Sequence, residues 1–218
     1  VDPNAEIVAR RVSTLAELAG RDSKGGKPLI VLTTINAVLQ RVPPHDFFAA
    51  SMQRLAPGNV VSMASLVERL ESLGYGRAGT VTDPGQCAVR GGILDLYPPG
   101  GQPIRLDFFG DSLESVRAFD PETQRTQARL DGMTLLPMSE TPLDMEARKR
   151  FRARYVALFG AVRSDDPLYE SISAGRQHQG MEHWLPLFHD HLETLFDYLP
   201  DALVSFDPLV EDARAKRL

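Results

Sequence analysis

Between Gln86 and Phe119 the chain punctuates itself with turn signals every few residues, and this rhythm restricts its fold more than any other feature. Ile104, Leu106 and Phe108 alternate with Arg105, Asp107 and Phe109 at the two-residue period of a strand with one face buried. Upstream, Gln86 to Tyr97 reads as a strand interrupted by Gly91-Gly92, a bulge, and Pro98-Pro99-Gly100-Gly101 turns the chain toward Ile104. Downstream, Gly110-Asp111 makes a tight turn and Leu113 to Phe119 returns as a third antiparallel strand ended by Asp120-Pro121. A short strand, Val60-Val61, and a helix with Leu66, Val67, Leu70 and Leu73 on one stripe, closed by Gly74, precede this sheet. Together they predict a small α+β module over residues 58–138.

The flanks have a different texture. Asp2 and Pro3 suit the start of a helix that carries Val8, Val12, Leu15 and Leu18 at helical spacing. Leu29-Ile30-Val31-Leu32 is continuously apolar, as a parallel strand covered on both faces would be. Short helices are expected over 35–39 and 46–55. Beyond the module, helices are expected over 144–159, 167–174 and 181–198, the last interrupted by Pro186, with a strand over 202–206. One strand on each flank cannot make a parallel sheet alone, so residues 1–57 and 139–218 read as α/β layers whose remaining strands lie elsewhere, with 58–138 inserted between them.

Composition narrows the function. With 43% hydrophobic residues the chain should fold, and at 24 Lys plus Arg against 29 Asp plus Glu, a net charge of −5, it is poorly suited to coating nucleic acid or an anionic membrane. No apolar run is long enough to span a bilayer. The single thiol, Cys87, precludes an intrachain disulfide or a cysteine-built zinc site and points to a reducing compartment, the cytoplasm.

Candidate chemistry is thin. Gly25-Gly26-Lys27 is followed by Pro28 and a strand rather than by a helix, and Gly20 stands one position too far away for a phosphate loop. Ala202 to Asp207 has the strand-then-acid form of a magnesium-holding Walker B segment, but Pro208 occupies the place of the second acid that helicase-type hydrolases need. His178, His183, His189 and His191 fit no metal-ligand spacing, and Cys87 has no histidine at a telling offset. Arg148, Lys149, Arg150, Arg152 and Arg154 point around their helix, leaving Phe151, Tyr155 and Leu158 as the expected buried stripe. No catalytic residue, cofactor or metal is assigned.

The one anomaly lies on the sheet. With Ile104, Leu106 and Phe108 in the core, the opposite face presents Arg105, Asp107 and Phe109, and Arg90 can join them from the neighbouring strand. Arginine beside an aromatic ring is the composition of a protein-binding hot spot. The alternative is that a loop covers Phe109 and that Arg105 and Asp107 form an ordinary surface pair.

The strings Ala88-Val89-Arg90-Gly91-Gly92-Ile93-Leu94-Asp95-Leu96-Tyr97-Pro98 and Arg105-Leu106-Asp107-Phe108-Phe109-Gly110-Asp111 extend the anomaly into a pattern. With Phe119-Asp120-Pro121, Leu32-Thr33-Thr34-Ile35-Asn36-Ala37 and Gly180 to Phe188, they resemble the amino-terminal UvrB-homology module of the bacterial transcription-repair coupling factors, the Mfd family. The resemblance covers most of the chain. It implies a degenerate, helicase-like first domain (1–57), an inserted UvrA-binding domain (58–138) and a second α/β segment (139–218). It also implies that UvrA is contacted by Arg90, Arg105 and Phe109, with Asp107 on the same face. Recruitment of UvrA in transcription-coupled repair, without catalysis by this chain, is the function so implied; RNA polymerase and DNA would be bound by other regions of the family protein. On this reading Arg105→Glu should abolish UvrA capture without disturbing the fold. Alternatives are part of an active UvrB-like, DNA-dependent ATPase and a DNA-contacting module built on the helix around Arg152.

Overall fold

The computed structural model describes residues 3–21, 28–162 and 166–215. Gly25-Gly26-Lys27 and the capping role expected of Asp2 lie outside them. The molecule is a mixed α/β protein around a six-stranded sheet of order β2-β3-β4-β5-β6-β7, in which β2 (Gly76–Arg77) runs parallel to β3 (Gln86–Arg90). All other neighbours are antiparallel: β3 with β4 (Ile93–Leu96), β4 with β5 (Ile104–Phe109), β5 with β6 (Ser112–Phe119) and β6 with β7 (Thr126–Leu130).

The alternation in β5 sorts the sheet into two faces. Leu94, Leu96, Ile104, Leu106, Phe108 and Val116 point to one side, where helix α4 (Met63–Ser72) lays Leu66, Val67 and Leu70 over them. Cys87 is buried in the same cluster, and burial pushes its thiol above the ordinary value, as expected of a small core hydrophobe and not of a nucleophile. A small antiparallel pair, β1 (Gln53–Leu55) with β8 (Met133–Leu135), adds Leu55 and Leu135 to this core.

Gly91-Gly92 is a two-residue hairpin turn and not a bulge, because Arg90 pairs directly with Ile93. Glycine is needed there twice over. Gly91 has φ +60, and a Cβ on Gly92 would lie 2.8 Å from the carbonyl oxygen of Phe108, whose amide donates to Gly92.

Helix α1 (Pro3–Ala19) and α3 (His45–Ser51) close a second cluster around Val12, Leu15 and Phe48. The helix expected over 46–55 stops at Ser51, and its tail becomes β1, because Leu55 is claimed by the sheet core. Thr34 caps the short α2 (Ile35–Val38). In the last third, α5 (Met145–Phe159), capped by Asp144, and α6 (Pro167–Ser173), capped by Asp166, pack Phe151 and Ile172 against Phe188. Two expectations fail here. Leu158 is exposed, and a 3-10 helix over Met181–Leu187 containing Pro186 replaces the long helix to Tyr198. The 3-10 segment is anchored by the basic helix: Arg150 donates to the Phe188 carbonyl at 2.6 Å and Arg154 to that of Pro186 at 2.9 Å. His189, buried beside Phe47, donates Nε2 to the Glu140 carbonyl, and burial lowers its pKa despite that bond, which favours the neutral ring.

The segments expected as strands at Leu29–Leu32 and over 202–206 form no ladder among the described residues, and Val60 forms only an isolated bridge to Ser112. Ile30 is 84% and Leu32 92% exposed, and Leu203 is fully so. The two segments line a groove of about 710 Å³ without bonding to each other. A parallel strand gains its hydrogen bonds and apolar cover only from neighbours, and none is supplied for these segments among the described residues. A six-residue helix, α7 (Val210–Ala215), follows, with the Asp207 carboxylate accepting the Leu209 amide at 2.9 Å.

Candidate functional site on the outer sheet face

The face turned away from α4 is polar, and its cross-strand register fixes who meets whom. One row runs Ala88, Asp95, Arg105, Arg117, Arg129 from β3 to β7, and the next runs Arg90, Ile93, Asp107, Ser115. One strand-step further, Phe109 faces Ser112 across the turn Gly110-Asp111. Because β3 and β5 run the same way, the Arg90 and Phe109 hairpin tips sit at the same end of the sheet, about two strand spacings, roughly 10 Å, apart.

Asp95 is the centre of this face. It is fully buried and accepts from Arg105 Nε at 2.7 Å, Arg105 Nη2 at 2.9 Å and Arg90 Nη2 at 2.5 Å. Two guanidinium groups on one carboxylate are the arrangement that makes a buried acid tolerable. Arg105 is only 9% exposed; Nη1 donates to the Gln124 carbonyl and to Thr126 Oγ1, both at 3.2 Å, and its guanidinium carbon lies 4.8 Å from the centre of the Phe119 ring. The hydrogen bond to Asp95 raises its pKa further, so it is a permanent cation. Gln124 adopts φ +60 to offer that carbonyl, and its side-chain amide is held by the carbonyls of Val81 and Pro121. Val81, Ala88 and Phe119 close this end of the face from solvent.

The expected exposed guanidinium at Arg105 is therefore a buried one, and Arg105→Glu would set two acids against each other inside the fold. Arg90 keeps a 45% exposed side chain, and among the described residues only its Nη2 is engaged. Asp107 is gripped by Arg117 through Nε at 2.8 Å and Nη2 at 2.6 Å and also accepts from the Ser115 hydroxyl. Burial pushes its pKa up, but these bonds and the charges of Arg117 and Arg105 outweigh it and hold the carboxyl below the ordinary range. Phe109 is 82% exposed, and among the described residues no loop covers it. A large aromatic ring left in water at a hairpin tip gains nothing for the fold from its apolar area.

Sequence reading missed Asp95, Arg117, Gln124 and Thr126. Only Asp95 carried a signal, a lone acid between Leu94 and Leu96 in an apolar strand.

Residues 54–140, which carry this whole face, match the UvrB interaction domain family. Over 207 residues, 94% of its length, the chain is 37% identical to the transcription-repair-coupling factor of Haemophilus influenzae. Nearly the whole chain is thus similar to one segment of the transcription-repair-coupling factors. It is likewise 36% identical to the Escherichia coli factor over 200 residues and 38% to that of Myxococcus xanthus over 232. It spans less than a fifth of the length of these coupling factors, 18%, 17% and 19% in the order given. Among the described residues no helix is long and apolar enough to cross a membrane, and no cluster of His, Cys, Asp and Glu could hold a metal ion.

Proposed function

We propose that this chain is the UvrA-docking module of a coupling factor, serving transcription-coupled nucleotide excision repair by recruiting UvrA and catalysing nothing itself. Phe109 is the apolar anchor and Arg90 the accessible cation, forming charge-assisted bonds with acidic groups on UvrA. Arg105 acts mainly from below, holding Asp95 and through it the Arg90 guanidinium, and Asp107 fixes Arg117 on the same face. The observation that carries the reading is the uncovered Phe109 ring beside a preorganised arginine network, within the stretch that matches the UvrB interaction domain. Residues 1–57 and 139–218 are flanking helicase-like α/β layers around domain 58–138, and the unpaired segments at 29–32 and 202–206 are strands awaiting partners outside this chain. Contacts with RNA polymerase and DNA belong to other parts of the longer protein.

The test is Arg90→Ala. Asp95 keeps both bonds from Arg105, so the melting temperature should hardly change, whereas UvrA affinity should fall about tenfold, ~1.4 kcal/mol. Unaltered affinity in a titration calorimeter would remove Arg90 from the interface.

A further inference from the structure

The register of the outer face sets Arg105 directly opposite Arg117, and Arg117 directly opposite Arg129. Like charges facing one another across strands destabilise a sheet. The two carboxylates of this face do not relieve the whole row: Asp95 takes Arg105 and Arg90, Asp107 takes Arg117, and Arg129 is left over. Arg129 is exposed, and among the described residues no hydrogen bond or ion pair engages its side chain. The face thus carries two more cations than carboxylates, on a chain whose net charge is −5. A fold that needed only its own stability would gain by an acid at position 129.

We propose that Arg129, with the outer side of Arg117, is a further docking position, and that it meets a carboxylate-bearing surface of UvrA. The proposal rests on the UvrA-docking reading and extends that surface from the hairpin tips across to the edge strand β7. Charge complementarity points to an acidic protein surface and not to a phosphate backbone. Asp107, with a side chain 22% exposed, stands in the adjoining row and would repel phosphate, and Phe109 offers a duplex exterior nothing to bury against. Charges at such a rim act mostly by steering encounter, so the effect should appear in the association rate and its salt dependence.

The experiment uses the full chain with Arg129→Glu and Arg129→Lys. Glutamate opposite Arg117 converts a repulsive pair into an attractive one, so the melting temperature should hold or rise. Meanwhile the UvrA dissociation constant should increase about fivefold or more, chiefly through slower association, with a shallower dependence on salt. Lysine should restore near-normal binding. Loss of affinity in a variant at least as stable as the original cannot come from unfolding. An unchanged dissociation constant for Arg129→Glu, while Phe109→Ala still loses UvrA, overturns this inference and leaves the docking reading intact. If neither variant affects UvrA binding, both fall. Retention of duplex DNA that depends on Arg129, with UvrA binding unmoved, assigns the row to nucleic acid and also overturns the inference.

Discussion

Phe109→Ala is expected to weaken UvrA binding by about thirtyfold or more, the ~2 kcal/mol scale of a buried aromatic anchor, while leaving the chain as stable as before. Both halves follow from the same fact. The ring is 82% exposed in the free chain, so removing it opens no cavity and breaks no core contact. On the docking reading, all of its burial would come in the complex. Phe108, its neighbour, makes the control: it lies in the core under α4, and truncating it should cost about 3–5 kcal/mol of stability. Calorimetric titration against UvrA with parallel thermal melts separates the two. Equal UvrA affinity for Phe109→Ala and the original would deny the anchor.

Asp95→Ala should act in the opposite manner. The carboxylate is fully buried and is the shared acceptor of Arg105 and Arg90, so its removal leaves the Arg105 guanidinium buried with only a carbonyl, a hydroxyl and the Phe119 ring beside it. Breaking one side of a buried ion pair costs about 3–5 kcal/mol, a large share of the stability of a domain this size. Chemical denaturation should show the midpoint shifted strongly to lower denaturant. UvrA binding should fall as well, because Arg90 loses the partner that orients it. A compensating change, Asp95→Leu with Arg105→Met, should recover most of the stability without recovering full affinity. That outcome would separate the packing role of the network from its presentation of Arg90.

The sheet was legible because a strand with one buried face has to alternate, and the glycine and proline turns announce where each strand stops. β5 and β6 were read within a residue or two for that reason. β7 and β8 were not, since Thr126 to Leu130 lies almost wholly exposed at an edge and Met133 to Leu135 is too short to show a period. Gly91-Gly92 suggested a bulge because two glycines alone do not distinguish a kink from a reversal; the pairing of Arg90 with Ile93 decides it. The flanking apolar runs at 29–32 and 202–206 have the composition of parallel strands, but a strand exists only when another pairs with it. On the outer face, the alternation along β5 was enough to turn Arg105, Asp107 and Phe109 to the same side, whereas Arg90 was placed there by the family resemblance. What parity cannot reveal is depth. Arg105 shares its face with Phe109, yet it sits at the end closed by Val81 and Phe119, over a buried acid contributed by β4. No spacing within β5 encodes that neighbour.

The most direct measurement of the central claim is the amide hydrogen-exchange footprint of UvrA on this chain. Added protection is expected at the β3–β4 tip around Arg90, at the β5–β6 tip around Phe109, and along β6 and β7 toward Arg129. Protection confined to the apolar segments at 28–34 and 202–207, with both hairpin tips exchanging as they do without UvrA, would contradict it.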